Sequence, residues 1–383
     1  MPSEAKIREY IKRITEEVSK LKSEYPDVVR DYQSIELQEE IKVEGLGEVK
    51  PLSLTGSSTG QSGLTVFAVD SSTRYLRDTS VGMVLLGMST FSTTEGLKLY
   101  PYYGKSRFLG LWANEGILKE LEKVIDKDYV AVRNRVGDYY EERSYPYLDD
   151  VADELRFESE TEALKTANAD LVIVDGPIYP TPLELVVDFS YSPGNPRVSH
   201  RRAYALLIKD RLDVAKGKSV LGVVKRLEKS RKLYKVKEVN DVLGNLPSMP
   251  DPEVMRMLYS KLCKGEQVCA FGPFKLEYDI SVEGVLQGVP PKYAYYVVVR
   301  RVVGPWSFFR VEALDMDTLN YAGVVFSRLS ERGIPTWIEV VDKASKKVSA
   351  SLFVIGYRIA SQFLDVIHDD KLAFETALTE LGT

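Results

Sequence analysis

The sequence predicts an α/β fold: a mixed sheet flanked by helices, with an N-terminal helix and helical insertions. Three observations lead there. Val66-Phe67-Ala68-Val69-Asp70 and Leu171-Val172-Ile173-Val174-Asp175 are apolar, mostly β-branched runs, each closed by an aspartate, and such runs read as buried strands. Two further extended runs, 81–91 and 97–103, follow the first with no helix between, as antiparallel neighbours do. A helical stretch over 153–165 then leads into the second aspartate run, after which strands and helices alternate. Adjacent strands first and helix-linked strands later make a mixed sheet.

The elements follow in order. Residues 3–34 read as an amphipathic helix, with Ser3 as N-cap and Ile7, Ile11, Ile14, Val18 and Leu21 at spacings of three and four, a stripe continued by Tyr25 and Val28. The Ser-, Gly- and Thr-rich stretch 51–64 reads as a loop before the core. The tyrosine-rich stretch 112–153 is polar and helical in places, an insertion. A basic helix covers 197–216, and Val220–Val224 is a short strand ending at Lys225. Strands are expected at 293–303 and 309–314, a helix at 317–332 closed by Gly333, an extended piece at 335–340 and a long helix at 345–367. The chain divides into a helical extension, 1–50, and one domain, 51–383, carrying the insertion and a basic region over 197–237. If the two aspartate strands are neighbours, the order is that of a ribonuclease H-like core.

Composition narrows the chemistry. The 383 residues are 44% hydrophobic and 28% charged, as in soluble globular proteins, and no run of 18 apolar residues exists to span a membrane. The N-terminus has no basic-then-apolar signal pattern. Cys263 and Cys269 can pair but make neither a disulfide framework nor a zinc site. A cytoplasmic location is expected. With only His200 and His368, HExxH-type metal sites are excluded and histidine triads disfavoured, leaving carboxylates, Lys, Tyr and backbone. Few His and Cys beside many Lys, Glu, Tyr and Val fit a heat-adapted protein. The net charge of −5 opposes nucleic-acid binding, but 197–237 holds 14 Lys and Arg against three acids. A local basic belt, including Arg201, Arg202, Lys225 and Arg226, suits a phosphate backbone, although it also suits a solvated helix face.

The candidate chemistry lies on carboxylates. Asp70 and Asp175 at strand ends can hold Mg²⁺ or Mn²⁺ between protein and phosphate; each can equally start a turn. Ser71 can orient Asp70 or a water. Gly176 lets the chain turn and a phosphate approach. On the helix before Asp175, Phe157, Glu160, Leu164 and Ala167 share one face, so Glu160 is an acid on an apolar stripe and needs a partner: a metal, or Arg156 four residues back. Glu158 and Glu162 lie elsewhere on that helix. Asp342 opens the last long helix, where the dipole alone favours an acid. Lys225 can meet a phosphate. Tyrosines such as Tyr102, Tyr103, Tyr293 and Tyr295 can stack on bases or belong to the core.

The ordered set of Asp70-Ser71-Ser72, Arg156 with Glu160, Asp175-Gly176-Pro177-Ile178, Gly222-Val223-Val224-Lys225, and Pro335 with Asp342 resembles the NurA nucleases of archaea, from about residue 60 to 365. The resemblance implies a ribonuclease H-like core, a homodimer, and Mn²⁺-dependent nuclease activity on DNA, both 5′-3′ exonuclease and single-strand endonuclease. It implies work with a hexameric HerA-type helicase in end resection and recombinational repair. It makes Asp70, Glu160 and Asp175 ligands of two Mn²⁺ or Mg²⁺ ions; where some members carry a histidine near the C-terminal end of the site, this chain has Asp342 followed by Lys343.

Two other readings compete. Ala68-Val69-Asp70-Ser71-Ser72-Thr73 resembles the first phosphate loop of actin-fold sugar kinases, but Pro177 and Pro180 remove amides that their second loop would use. A non-catalytic DNA-binding adaptor would use the basic belt and keep the aspartates as structural groups.

Overall fold

The computed structural model describes residues 4–22, 42–52, 54, 63–186, 195, 197–263, 265–301, 306–366 and 368–382. The strands are β1 (Lys42–Gly45), β2 (Val66–Arg77), β3 (Val81–Ser92), β4 (Gly96–Tyr100), β5 (Leu109–Ala113), β6 (Val130–Ala131), β7 (Leu171–Asp175), β8 (Val220–Val224), β9 (Val268–Glu277), β10 (Lys292–Val299) and β11 (Ser307–Ala313). The helices are α1 (Glu4–Lys22), α2 (Glu115–Glu122), α3 (Leu148–Thr166), α4 (Val198–Ala215), α5 (Lys237–Leu243), α6 (Asp251–Leu262), α7 (Met316–Leu319), α8 (Ala322–Phe326), α9 (Thr336–Ala360) and α10 (His368–Leu381). One sheet takes all eleven strands in the order β1-β9-β10-β11-β8-β7-β2-β3-β5-β6, with β4 on β3.

Its centre is the mixed arrangement expected from the sequence. β2 and β3 are antiparallel, β3 and β5 are antiparallel, and β7 and β8 run parallel to β2. The helices α3 and α4 make the crossovers that parallel strands require. β2 and β7 are buried on both faces, which is why they read as continuous apolar runs rather than alternating ones. Val69, Val172 and Val174 enter a core that includes residues of α3 and α4, while Val66, Ala68, Leu171 and Ile173 enter a core that includes residues of α7, α8 and α9.

Several elements differ from expectation. β2 does not end at Asp70; it continues to Arg77 as a hairpin with β3, pairing Ser71, Ser72 and Thr73 with Met88, Gly87 and Leu86. The amides a kinase-type phosphate loop would need are therefore inside a ladder. β5, buried throughout, lies partly within the stretch read as an insertion; its five residues are too short a run to announce a strand. β4 and β5 both pair with β3, on its Met88–Ser92 and Val81–Leu85 halves. The single helix expected at 317–332 is two short ones, α7 and α8, the first capped by Asp315. The extended piece expected at 335–340 is helical: Pro335 is the N-cap of α9, a place where its missing amide costs nothing. Cys263 and Cys269 form a disulfide.

α1 buries Ile7, Ile11, Ile14, Val18 and Leu21 in a core shared with residues of α9 and α10; Tyr25, Val28 and most of 51–64 lie outside the described residues. α9 crosses β2 and β3 at very short range. A Cβ on Gly87 would sit 2.3 Å from the Ser349 amide nitrogen, so only glycine admits this helix. No helix among the described residues is long and apolar enough to cross a membrane.

Candidate active site

The parallel ladder between β2 and β7 ends with Val69 opposite Val174, so Asp70 and Asp175 follow side by side. Side chains alternate along a strand. Asp70 has the parity of Val66 and Ala68, and Asp175 that of Leu171 and Ile173, so both face α9. Lys225, two residues after Val223, shares that face. α9 brings Asp342 down onto it.

The result is a compact group. Carboxylate oxygens of Asp70, Asp175 and Asp342 all lie within 4.8 Å of one another. Lys225 Nζ donates to Asp175 Oδ2 at 2.5 Å and to Asp342 Oδ1 at 2.8 Å. Lys346, one turn along α9, donates to Asp342 Oδ2 at 2.8 Å. Ser345 Oγ donates to Asp70 Oδ2 at 2.5 Å.

Burial and then the Asp175 charge push the Asp70 carboxyl up, against the hydrogen bond from Ser345. Burial likewise raises Asp175, against Lys225. Burial would raise Asp342 too, but its two lysines outweigh that and hold it below its ordinary value. Burial would lower Lys225, yet Asp175 and Asp342 hold it above. The group thus has more buried negative charge than its ammonium groups balance. A cluster of hard oxygen donors with a charge deficit suits Mg²⁺ or Mn²⁺, not a thiolate- or imidazole-seeking metal.

Glu160 lies on the other side of β2. It is buried with Phe157, Leu164 and Ala167, as its helix face predicts. Its Oε1 accepts from Ser71 Oγ at 2.5 Å and its Oε2 from Arg211 Nη2 at 3.3 Å. Ser71 is next to Asp70 in the strand and so faces the opposite way, toward α3. Arg156, offered by sequence as the partner of Glu160, reaches Ser71 Oγ at 3.4 Å and Asp153 at 3.8 Å. Burial would lower its guanidinium, but the charge of Glu160, followed by that of Asp153, holds it up. Glu158 pairs with Arg107 and Glu162 with Lys165.

Behind the face that carries Asp70 and Asp175, a second buried network holds the turn after Asp175. Glu312 accepts from the Ile178 amide at 2.9 Å, from Lys292 Nζ at 2.8 Å and from Arg310 Nε at 3.0 Å. A Cβ on Gly222 would meet Gly176 O and Ile178 N at 2.8 Å. Glycine there lets β8 lie against that turn.

The basic region is not one exposed stripe. Arg211 is fully buried, Lys232 is buried, and Arg197 pairs with Asp150 and Glu184. Arg201 is half-buried and donates to Val186 O, whereas Arg202 and Arg226 are exposed. Tyr295, one of the tyrosines offered for base stacking, is a core residue, as are Tyr140, Tyr179 and Tyr296. Sequence reasoning missed Ser345, Lys346 and Arg211. The first two stand three and four places after Asp342, the spacing that puts helix residues on one face; nothing local marks Arg211.

A family model described as the NurA domain matches residues 64–346. No curated relative matches the chain. Among solved structures, the NurA nuclease from Sulfolobus solfataricus is similar over 79% of this chain and 84% of that one, with 13% identity and a TM-score of 0.42. A NurA bound to dAMP and manganese is similar over 77% of this chain and 86% of that one, with 7% identity and a TM-score of 0.41.

Proposed function

This chain belongs to the NurA family, and we propose that it is a metal-dependent DNA nuclease whose centre is Asp70, Asp175 and Asp342. The observation that carries the reading is the convergence of three carboxylates from β2, β7 and α9 within 4.8 Å, two of them with raised proton affinity.

Asp70, Asp175 and Asp342 would hold Mn²⁺ or Mg²⁺. Such ions supply charge neutralisation at a phosphate and a more acidic bound water. The residues of the chain do the rest. Ser345 fixes the rotamer of Asp70. Lys225, on the same face, is placed to release Asp175 and Asp342 and meet a non-bridging phosphate oxygen as negative charge grows there. Glu160, on the other face of β2 and held by Arg211, is a positioning group that acts on Asp70 through the neighbouring Ser71. Arg202 and Arg226 are exposed cations for the flanking backbone. Phosphate contacts of this kind carry no base information, so cleavage depends little on sequence and binding weakens with salt.

The family resemblance extends the proposal to 5′-3′ exonuclease and single-strand endonuclease activity, to a homodimer, and to end resection with a hexameric HerA-type ATPase. The test is cleavage of end-labelled single- and double-stranded DNA in Mn²⁺, Mg²⁺ or EDTA, beside Asp70→Ala and Asp175→Ala. Metal-dependent degradation that both substitutions abolish is expected. Equal cutting by the variants would refute the site, and no cutting by the wild type under either metal would favour a DNA-binding adaptor.

A further inference from the structure

We infer that a cavity beside the acidic centre receives one unpaired nucleobase of the bound strand. The inference rests on the nuclease reading and adds the group that lies next to the cleaved phosphate.

The cavity, of about 470 Å³, lies where β8 ends, and Lys225, Pro250, Pro252, Arg256, Trp306 and Phe308 form its walls. Its size is that of small-molecule sites, roughly 300–1,000 Å³. β11 runs antiparallel to β8 with Arg310 opposite Val224, so the start of β11, with Phe308, lies alongside the departing Lys225 segment. Lys225 belongs to both places: it lines the cavity, and its ammonium bonds Asp175 and Asp342. A group in the cavity is therefore one side chain away from the candidate metal ligands.

The walls suit a flat, neutral ring. Trp306 and Phe308 are only half-buried, with ring centroids 6.2 Å apart and planes inclined by 33°. The Arg256 guanidinium, on an exposed side chain, stands 5.4 Å from the Phe308 centroid and 5.9 Å from that of Trp306. Aromatic faces flanked by a guanidinium are how proteins hold single bases without reading their identity. A phosphate is a poorer match, because Glu228 and Glu253 on the same walls offset Lys225 and Arg256. A base can enter only when it is out of the duplex stack.

The test uses the full chain in EDTA, so that DNA is bound and not cut, with single-stranded oligonucleotides carrying 2-aminopurine at each position in turn. Wild type and Asp70→Ala are expected to quench one position strongly, and an abasic residue there to weaken binding. Phe308→Ala is expected to lose the quench and raise Kd about tenfold, within the range of base–aromatic stacking. Phe308→Tyr keeps both. Arg256→Ala changes an exposed side chain, so it tests the cavity even if Phe308→Ala does not fold; it too is expected to reduce the quench. The inference is overturned if Phe308→Ala and Arg256→Ala both quench and bind as wild type does, or if the abasic strand binds as tightly as the intact one. A wild type that shows the quench but cuts nothing in Mn²⁺ or Mg²⁺ sinks the nuclease reading and leaves the base site standing. Metal-dependent cutting with a quench indifferent to both substitutions does the reverse.

Discussion

Lys225 at the end of a central strand donates at 2.8 Å to Asp342 on α9, 117 positions later, and by the same ammonium to Asp175. One cation thus ties the sheet to the helix across the acidic centre. Lys225→Met leaves those carboxylates facing each other. In EDTA it should lower stability by about 1–3 kcal/mol, the cost of leaving partly buried polar groups unpaired. Added Mn²⁺ should raise the melting temperature more in this variant than in wild type, because no ammonium competes for the same oxygens. Thermal melts with and without the metal check both statements.

Asp70→Asn should reduce cleavage at least about a hundredfold, since a metal ligand contributes several kcal/mol to the transition state. In EDTA the same variant should melt no lower than wild type, and higher at pH above about 8, where the wild-type Asp70 carboxyl is charged beside Asp175. A large loss of stability together with activity would show a structural aspartate.

Arg211 is fully buried and holds Glu160, Thr161 and the carbonyl of Phe157. Arg211→Met should destabilise by about 3–5 kcal/mol, as removing one member of a buried ion pair does. Adding Glu160→Gln should recover part of that loss. Urea unfolding of the two single variants and the double variant gives the coupling directly; simple additivity would mean that the pair does not act as a unit.

His200 is buried with Nδ1 2.7 Å from Glu154, Nε2 3.3 Å from Glu184 and 3.6 Å from Asp150. Burial would lower its proton affinity, but Asp150, Glu154 and Glu184 outweigh that and push it up to about 10. A raised folded-state value gives stability that is complete below the ordinary value of 6.5 and is lost as pH rises toward 10. Wild type should therefore lose stability between those pH values. His200→Gln should be less stable at pH 6 and show a flatter decline, read from urea midpoints across that range.

The sequence by itself determined the two aspartate strands, the mixed sheet and the buried face of α3 that includes Glu160. The strands and the helix face follow from local apolar periodicity within a single element, and the mixed sheet from the order in which strands and helices succeed one another. It also singled out Asp70, Asp175 and Lys225, because a charged residue at the end of an apolar run stands out, and Asp342 as an acid at the expected start of the last long helix. Only the tertiary structure decided which of them meet. Neighbouring residues of a strand point to opposite faces, so Asp70 joins Asp175 and Asp342 under α9, while Ser71 turns to Glu160 under α3. The continuation of β2 to Arg77 depended on a partner, β3, and the helical start of α9 on packing that local propensity does not contain. Arg211 looked like one more surface cation in a basic run; its burial against Glu160 comes from how α3 and α4 pack, and long-range packing leaves no mark at a single position.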